Sequence, residues 1–302
     1  MIVASKAHVA AELFSGFESR RVVTGGAEIQ LVVGGQGPPL LLLHGYPQTH
    51  AIWHRMAPRL AEHFTVVCSD LRGYGDSSKP ASAPDHAPYS KRAMALDQVE
   101  MMASLGFRRF ALAGHDRGGR VAHRLARDHP DRVERLAVLD ISPTAAMYAG
   151  TDMAFATAYY HWFFLIQPYD LPERLIGSDP AYYLRKKLGG WGSALERFDP
   201  RAYAEYERCF RDPATIHASC EDYRAAATID LEHDRGDASR KIDCPLLVLW
   251  GEKGVVDRLF DPLADWRAVA SDVRGHKLPC GHYLPEEAPE ETCAKLLAFF
   301  RG

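Results

Sequence analysis

The segment Phe110-Ala111-Leu112-Ala113-Gly114-His115-Asp116-Arg117-Gly118-Gly119-Arg120 constrains this chain more than any other. An apolar run ends in Gly-x-Asp-x-Gly and continues into residues suited to a helix. Glycines on either side of one residue permit a sharp strand-to-helix turn, with that residue strained and its side chain projecting outward. The helix that starts just beyond favours negative charge at its N-terminus. Asp116 therefore suits an ionised carboxylate offered as a nucleophile. Alone, the segment also fits a glycine-rich turn with a helix-capping Asp, so the rest of the chain must decide.

Short apolar runs bounded by Gly, Pro and Asp recur along the chain. Strands are predicted at 29–33, 40–43, 65–68, 110–113, 136–139, 246–250 and 273–278. Helices are predicted at 90–105, amphipathic with Ser90 as N-cap, and at 118–128, 263–270 and 290–300. Apolar strands alternating with helices imply an α/β fold, a mostly parallel sheet flanked by helices. The stretch 145–238 breaks the pattern: it has few strand-like runs and many aromatics. It reads as a helical cap, with 1–144 and 239–302 forming the core domain. Such a cap would cover the carboxyl edge of the sheet, where ligands of open α/β sheets bind. Most of its aromatics would still pack as the cap's own core.

The 302 residues carry a formal net charge of -3 with scattered basic residues, so neither nucleic acid nor an anionic membrane is expected as partner. None of the six cysteines forms a C-x-x-C pair, and several sit in apolar runs. Buried free thiols fit a reducing cytoplasm. Met1 to Lys6 lacks the sustained apolar stretch of a signal peptide. No run approaches the ~20 apolar residues of a membrane span. Neither metal-ligand spacing nor a dinucleotide fingerprint is present, so no metal or cofactor is expected.

Three features support a nucleophilic Asp116. His44-Gly45-Tyr46-Pro47 follows an apolar strand, where an oxyanion-hole loop belongs; the donors would be the N–H groups of Tyr46 and Arg117. His282 lies after the last strand and before the last helix, the place of the base in the order nucleophile, acid, histidine. The acid is either Asp140, which ends the 136–139 strand, or Asp257. Many hydrolases of this layout carry the acid where Gly254 stands, which favours Asp140. Attack by Asp116 on carbon would form an ester that His282 hydrolyses with water. An Asp nucleophile alkylates at carbon, which points to carbon–halogen or epoxide opening. Arg117 and Arg120 can share one helix face. Two guanidiniums beside a nucleophilic carboxylate make sense for an anionic substrate, whose own carboxylate they would hold.

His161, Trp162 and Tyr223 offer N–H and O–H donors on apolar frames, although spacing alone does not bring them together. The blocks His44-Gly45-Tyr46-Pro47-Gln48-Thr49-His50, Gly114 to Arg120, Tyr160-His161-Trp162, Cys220-Glu221-Asp222-Tyr223-Arg224 and Gly281-His282-Tyr283-Leu284-Pro285-Glu286-Glu287 resemble the fluoroacetate dehalogenases of the α/β-hydrolase superfamily. The resemblance spans nearly the whole chain. It implies Asp116 as nucleophile, His282 as base and Asp140 as acid. It implies Arg117 and Arg120 for the substrate carboxylate, His161, Trp162 and Tyr223 for the halide, and Trp191 in the pocket wall. It also implies a homodimer acting on a small haloacid and water. One departure is Tyr46, where the family usually has Phe; the backbone donor is unaffected. The competing readings are an epoxide hydrolase, using Tyr159 or Tyr160 with Tyr223 as proton donors, and a non-catalytic binding protein on the same scaffold.

Overall fold

Eight strands form one sheet in the order β1-β2-β4-β3-β5-β6-β7-β8. They are β1 (Glu18–Val23), β2 (Glu28–Gly34), β3 (Pro39–Leu43), β4 (Thr65–Ser69), β5 (Phe110–His115), β6 (Val133–Leu139), β7 (Leu246–Gly251) and β8 (Val273–Leu278). The computed structural model describes residues 12–302, so the reading of Met1 to Lys6 falls outside it. β2 pairs antiparallel with β1 and β4, and every other neighbouring pair is parallel. Leu40 to Leu43 of β3 and all of β5 and β7 are buried, as strands covered on both faces should be.

The seven predicted strands are present, most of them one to three residues longer than expected. β1 was not expected. It is an exposed edge strand with no apolar run, its Arg20 and Arg21 paired with Glu18 and Glu28.

The helix Lys91–Ser104 is capped by the Ser90 side chain, which accepts from the Ala93 N–H. It is not the clean amphipath expected. Its buried face includes Lys91, Asp97 and Gln98, held by partners: Asp97 accepts from Arg72 at 2.5 and 2.6 Å, and Gln98 from Ser69 at 2.7 Å. The helix after β5 spans Arg117–Asp128, one residue earlier than predicted. Between β6 and β7, the elements from Thr144 to Gly236 are all helical, including Tyr160–Phe164, Pro180–Leu188 and Pro213–Ala227. All six cysteines are free thiols, five of them buried.

The chain runs from β3 outward to β4, then returns to place β5 on the other side of β3. The crevice at such a reversal is where ligands settle in open α/β sheets. The loops leaving β3, β5, β6 and β8 carry Tyr46, Asp116, Asp140 and His282 respectively.

Candidate active site

Asp116 sits between β5 and its helix with φ 46° and ψ -114°. Strained backbone of this kind costs about 1–3 kcal/mol and persists only where its surroundings enforce it. The close approach of the surrounding chain is what enforces it. A Cβ on Gly118 would lie 2.4 Å from the His44 carbonyl oxygen, and one on Gly114 2.4 Å from the Gly118 oxygen. Both positions thus exclude side chains, and the turn presses against the loop after β3. In consequence the Tyr46 N–H donates to Asp116 Oδ1 at 2.9 Å. Burial favours a neutral Asp116. The charges of His282, Arg120 and Arg117 outweigh it and hold the carboxyl below its ordinary range.

Of the two candidate acids, Asp140 is the one beside the base. His282 Nδ1 donates to Asp140 Oδ2 at 2.6 Å, while Asp140 Oδ1 accepts from the Gly251 N–H at 2.9 Å. Asp257 instead accepts from Trp250 Nε1 at 2.7 Å. His282 Nε2 lies 4.0 Å from Asp116 Oδ2, a gap that a water or substrate atom can enter. Burial lowers the His282 pKa, but the hydrogen bond and charge of Asp140 exceed that effect and leave it raised.

Two residues beyond the expected set hold the His282 loop. His115, kept neutral because burial pushes it down to about 3, donates through Nε2 to the His282 carbonyl at 2.8 Å. The Glu287 carboxylate accepts from the N–H groups of Gly281 and Tyr283, on either side of His282, both at 2.9 Å. Charge-assisted bonds to two backbone donors fix the base in place. Glu287→Gln keeps one acceptor and is expected to lower kcat about tenfold with little change in KM, as a looser base costs rate rather than binding. Steady-state kinetics check this; an unchanged kcat would remove Glu287 from the positioning of His282.

Arg117 and Arg120 stand one turn apart at the head of the same helix, both buried. Asp222 grips Arg117 through Nε at 2.9 Å and through Nη2 at 2.6 Å, while Nη1 is left without a partner. Lys91 and Tyr74 also bind Asp222. Arg120 Nη1 donates to the Ser142 carbonyl and Thr144 Oγ1, and its Nε is unpartnered. It has no carboxylate partner among the described residues.

The aromatic donors adjoin one another. The His161 and Trp162 rings lie 5.5 and 6.4 Å from that of Tyr223. His161 Nδ1, Trp162 Nε1 and the Tyr223 hydroxyl are all buried without a hydrogen-bond partner. Trp191 stands between the two groups, 4.7 Å from the His161 ring and 5.1 Å from that of His282. Tyr46 completes the wall, its ring 5.3 Å from Tyr223.

Asp222, Glu287 and the Gly251 N–H were not singled out by role from the sequence. A buried arginine demands a carboxylate partner, so Arg117 itself was the signal for Asp222. Gly251 and Glu287 act through the backbone, which leaves no side-chain pattern to read.

A family model described as the alpha/beta hydrolase fold matches residues 38–289. The chain is 52% identical over 288 residues to a fluoroacetate dehalogenase from Burkholderia sp, covering 95% of each chain. It is 36% identical over 280 residues to a soluble epoxide hydrolase from Corynebacterium sp. (strain C12), covering 91% of this chain and 94% of that one. A solved chain from Nostoc sp PCC 7120, described as an alpha/beta hydrolase, superposes with a TM-score of 0.94 at 64% identity, covering 95% of this chain and 99% of its own.

Proposed function

The chain belongs to the α/β-hydrolase family, and from that premise we propose that it is a haloacetate dehalogenase, converting fluoroacetate or chloroacetate to glycolate and halide. The observation that carries this reading is a set of buried polar atoms that the protein leaves unmet: the donors Arg117 Nη1, Arg120 Nε, Trp162 Nε1 and the Tyr223 hydroxyl, with His161 Nδ1, a donor when it carries the ring's proton. An unmet buried polar group costs about 1–3 kcal/mol, so such a set calls for a ligand. A carboxylate at the arginines and a halide at the aromatic donors would satisfy both halves. A neutral epoxide would leave the arginines unserved. Of the two tyrosines that could join Tyr223 in protonating an epoxide, Tyr160 is 46% exposed while Tyr159 is buried with its hydroxyl unpartnered, so the arginines carry the distinction. The dehalogenase relative shares more of the sequence than the epoxide hydrolase, 52% against 36%.

The chemistry follows from the two oxygens of Asp116. Oδ1 already accepts from the Tyr46 N–H, so Oδ2 attacks the substrate methylene carbon. The carbon–halogen bond breaks, and its electron pair leaves on the halide, stabilised by His161, Trp162 and Tyr223. Oδ1 becomes the ester carbonyl oxygen. His282 Nε2 then takes a proton from water as that water attacks Cγ of Asp116. Negative charge gathers on Oδ1, where the N–H groups of Tyr46 and Arg117 stabilise it. Collapse of the intermediate breaks the ester C–O bond. As that bond breaks, the His282 imidazolium gives its proton to the departing glycolate oxygen, and the second water proton, left on the Asp116 carboxyl, is lost to solvent, which restores the carboxylate. Asp140 keeps the His282 ring oriented and stabilises its charged form.

The helices between β6 and β7, with residues 145–238, act as a cap that shields this crevice from water. A cytoplasmic homodimer fits the free thiols and the exposed Met153, Tyr169, Leu171, Leu175 and Tyr182 of that cap.

Incubation with fluoro-, chloro- and bromoacetate should release halide and glycolate in equal amounts. Faster turnover of styrene oxide than of any haloacetate would transfer the assignment to the epoxide hydrolases. Arg120→Ala should cut kcat/KM for chloroacetate by about 30- to 100-fold, mainly through KM, as expected for a charged hydrogen bond to a carboxylate. Titration of initial rates checks it, and an unchanged KM would remove Arg120 from substrate binding.

A further inference from the structure

Two of the three donors assigned to the halide carry a cation over the ring. The Arg117 guanidinium carbon stands 4.1 Å from the Tyr223 ring centroid, and that of Arg120 stands 4.6 Å from the Trp162 ring. A cation over an aromatic face draws electron density from the ring. The attached O–H or N–H thereby becomes a stronger hydrogen-bond donor to an anion.

His161 has no arginine on its ring, but a cation is buried close by. Lys187, on the helix Pro180–Leu188, is only 3% exposed. Its Nζ stands 3.7 Å from the Tyr160 ring centroid, 5.2 Å from Trp191 and 5.4 Å from Tyr183. Tyr160 adjoins His161 in the chain, and the Trp191 ring lies 4.7 Å from that of His161. Among the described residues the ammonium has no carboxylate or hydrogen-bond partner. Surface packing does not account for this, because a buried lysine without a counter-charge is costly.

We infer that Lys187 is a positioning residue for the departing halide: through His161 it supplies positive potential at the halide end of the pocket, and it biases the enzyme toward the poorest leaving group, fluoride. This rests on the dehalogenase reading above. Fluoride needs the greatest help in leaving, so added positive potential accelerates C–F cleavage more than C–Br cleavage.

The surroundings of Lys187 make the effect depend on pH. The titratable groups around it are Tyr160 and His161 on one side, Tyr183 on its own helix, and Tyr283, whose hydroxyl donates to the Lys187 carbonyl at 3.2 Å. None of these is an anion near neutral pH. Burial alone pulls the ammonium down to about 7. Burial first, and the Lys187 charge second, hold His161 well below its ordinary value and therefore neutral. Raising the pH through about 7 thus removes positive potential from the halide site.

The test compares wild type, Lys187→Met and Lys187→Arg. Lys187→Met should lower kcat for fluoroacetate on the order of tenfold and kcat for bromoacetate by less than about threefold, with KM for both nearly unchanged. Lys187→Arg should keep the wild-type ratio of the two rates. Inhibition by chloride should weaken in wild type as pH rises through about 7, and in Lys187→Arg it should weaken less, because only His282 still loses its charge there. A Met variant that retains the wild-type fluoro-to-bromo ratio overturns the inference. If that variant does not fold, chloride inhibition with the same pH dependence in wild type and Lys187→Arg overturns it instead. Wild type that releases no halide from any haloacetate would refute the dehalogenase reading itself, a different result from either of these.

Discussion

Asp116→Asn is expected to abolish halide release, with a loss of at least about 10⁴-fold in kcat, the scale seen when a covalent nucleophile is removed. The substitution is close to isosteric. The side-chain oxygen can still accept from the Tyr46 N–H, as Oδ1 does at 2.9 Å in the structure. Asn also tolerates the positive φ of 46° found at this position better than most residues do. The fold and pocket should therefore survive. Removing the negative charge should even strengthen substrate binding, since a haloacetate carboxylate would no longer meet a second carboxylate between Arg117 and Arg120. The combined result is diagnostic: chloroacetate still quenches the fluorescence of Trp162 and Trp191, but no halide appears. Halide release within about tenfold of wild type would mean that His282 activates water directly on the substrate carbon, and Asp116 would lose its role.

The sequence was legible wherever burial on both faces wrote a continuous apolar run. Leu40 to Leu43 and Leu246 to Trp250 could be placed almost to the residue because every side chain in them is covered. β1 lacks that signature, since it is an exposed edge strand held by pairing with β2. The helix Lys91–Ser104 was found, yet its buried polar residues were not, because their partners Arg72, Ser69 and Asp222 are distant in the chain. The same division runs through the site. Asp116 and His282 are marked by their positions at strand ends. Asp140 was favoured over Asp257 by the glycine at 254 and by the family resemblance but not by spacing, since both carboxylates follow a strand; in the structure Asp140 is the one in contact with His282 Nδ1. Lys187 was invisible in a stretch with two other basic residues, Arg185 and Lys186; its burial alone distinguishes it.

His282→Gln should separate the two halves of the reaction. Alkylation needs an ionised Asp116 and no base; the variant loses the His282 charge that does most to keep Asp116 ionised, but Arg120 and Arg117 still act in the same direction. Hydrolysis of the ester needs His282 Nε2 to take a proton from water. The variant should therefore release one equivalent of halide per active site in a burst and then stall, with steady-state kcat down about 10³- to 10⁴-fold. Intact-protein mass spectrometry should show one added carboxymethyl group, and peptide mapping should place it on Asp116. The wild type should show the same division as a function of pH. Asp140 raises the His282 pKa above its ordinary value of 6.5 despite burial. A base acts only when neutral, so ester hydrolysis should slow as pH falls through that raised value. Asp116, whose pKa is lowered, stays ionised over the same range and continues to form ester. Acidic conditions should thus make the ester accumulate in wild type and bring its behaviour toward that of the variant. A His282→Gln enzyme with neither burst nor adduct would show that the histidine is needed before the carbon–halogen bond breaks, and the two-step scheme would have to be replaced by one in which His282 activates the first attack.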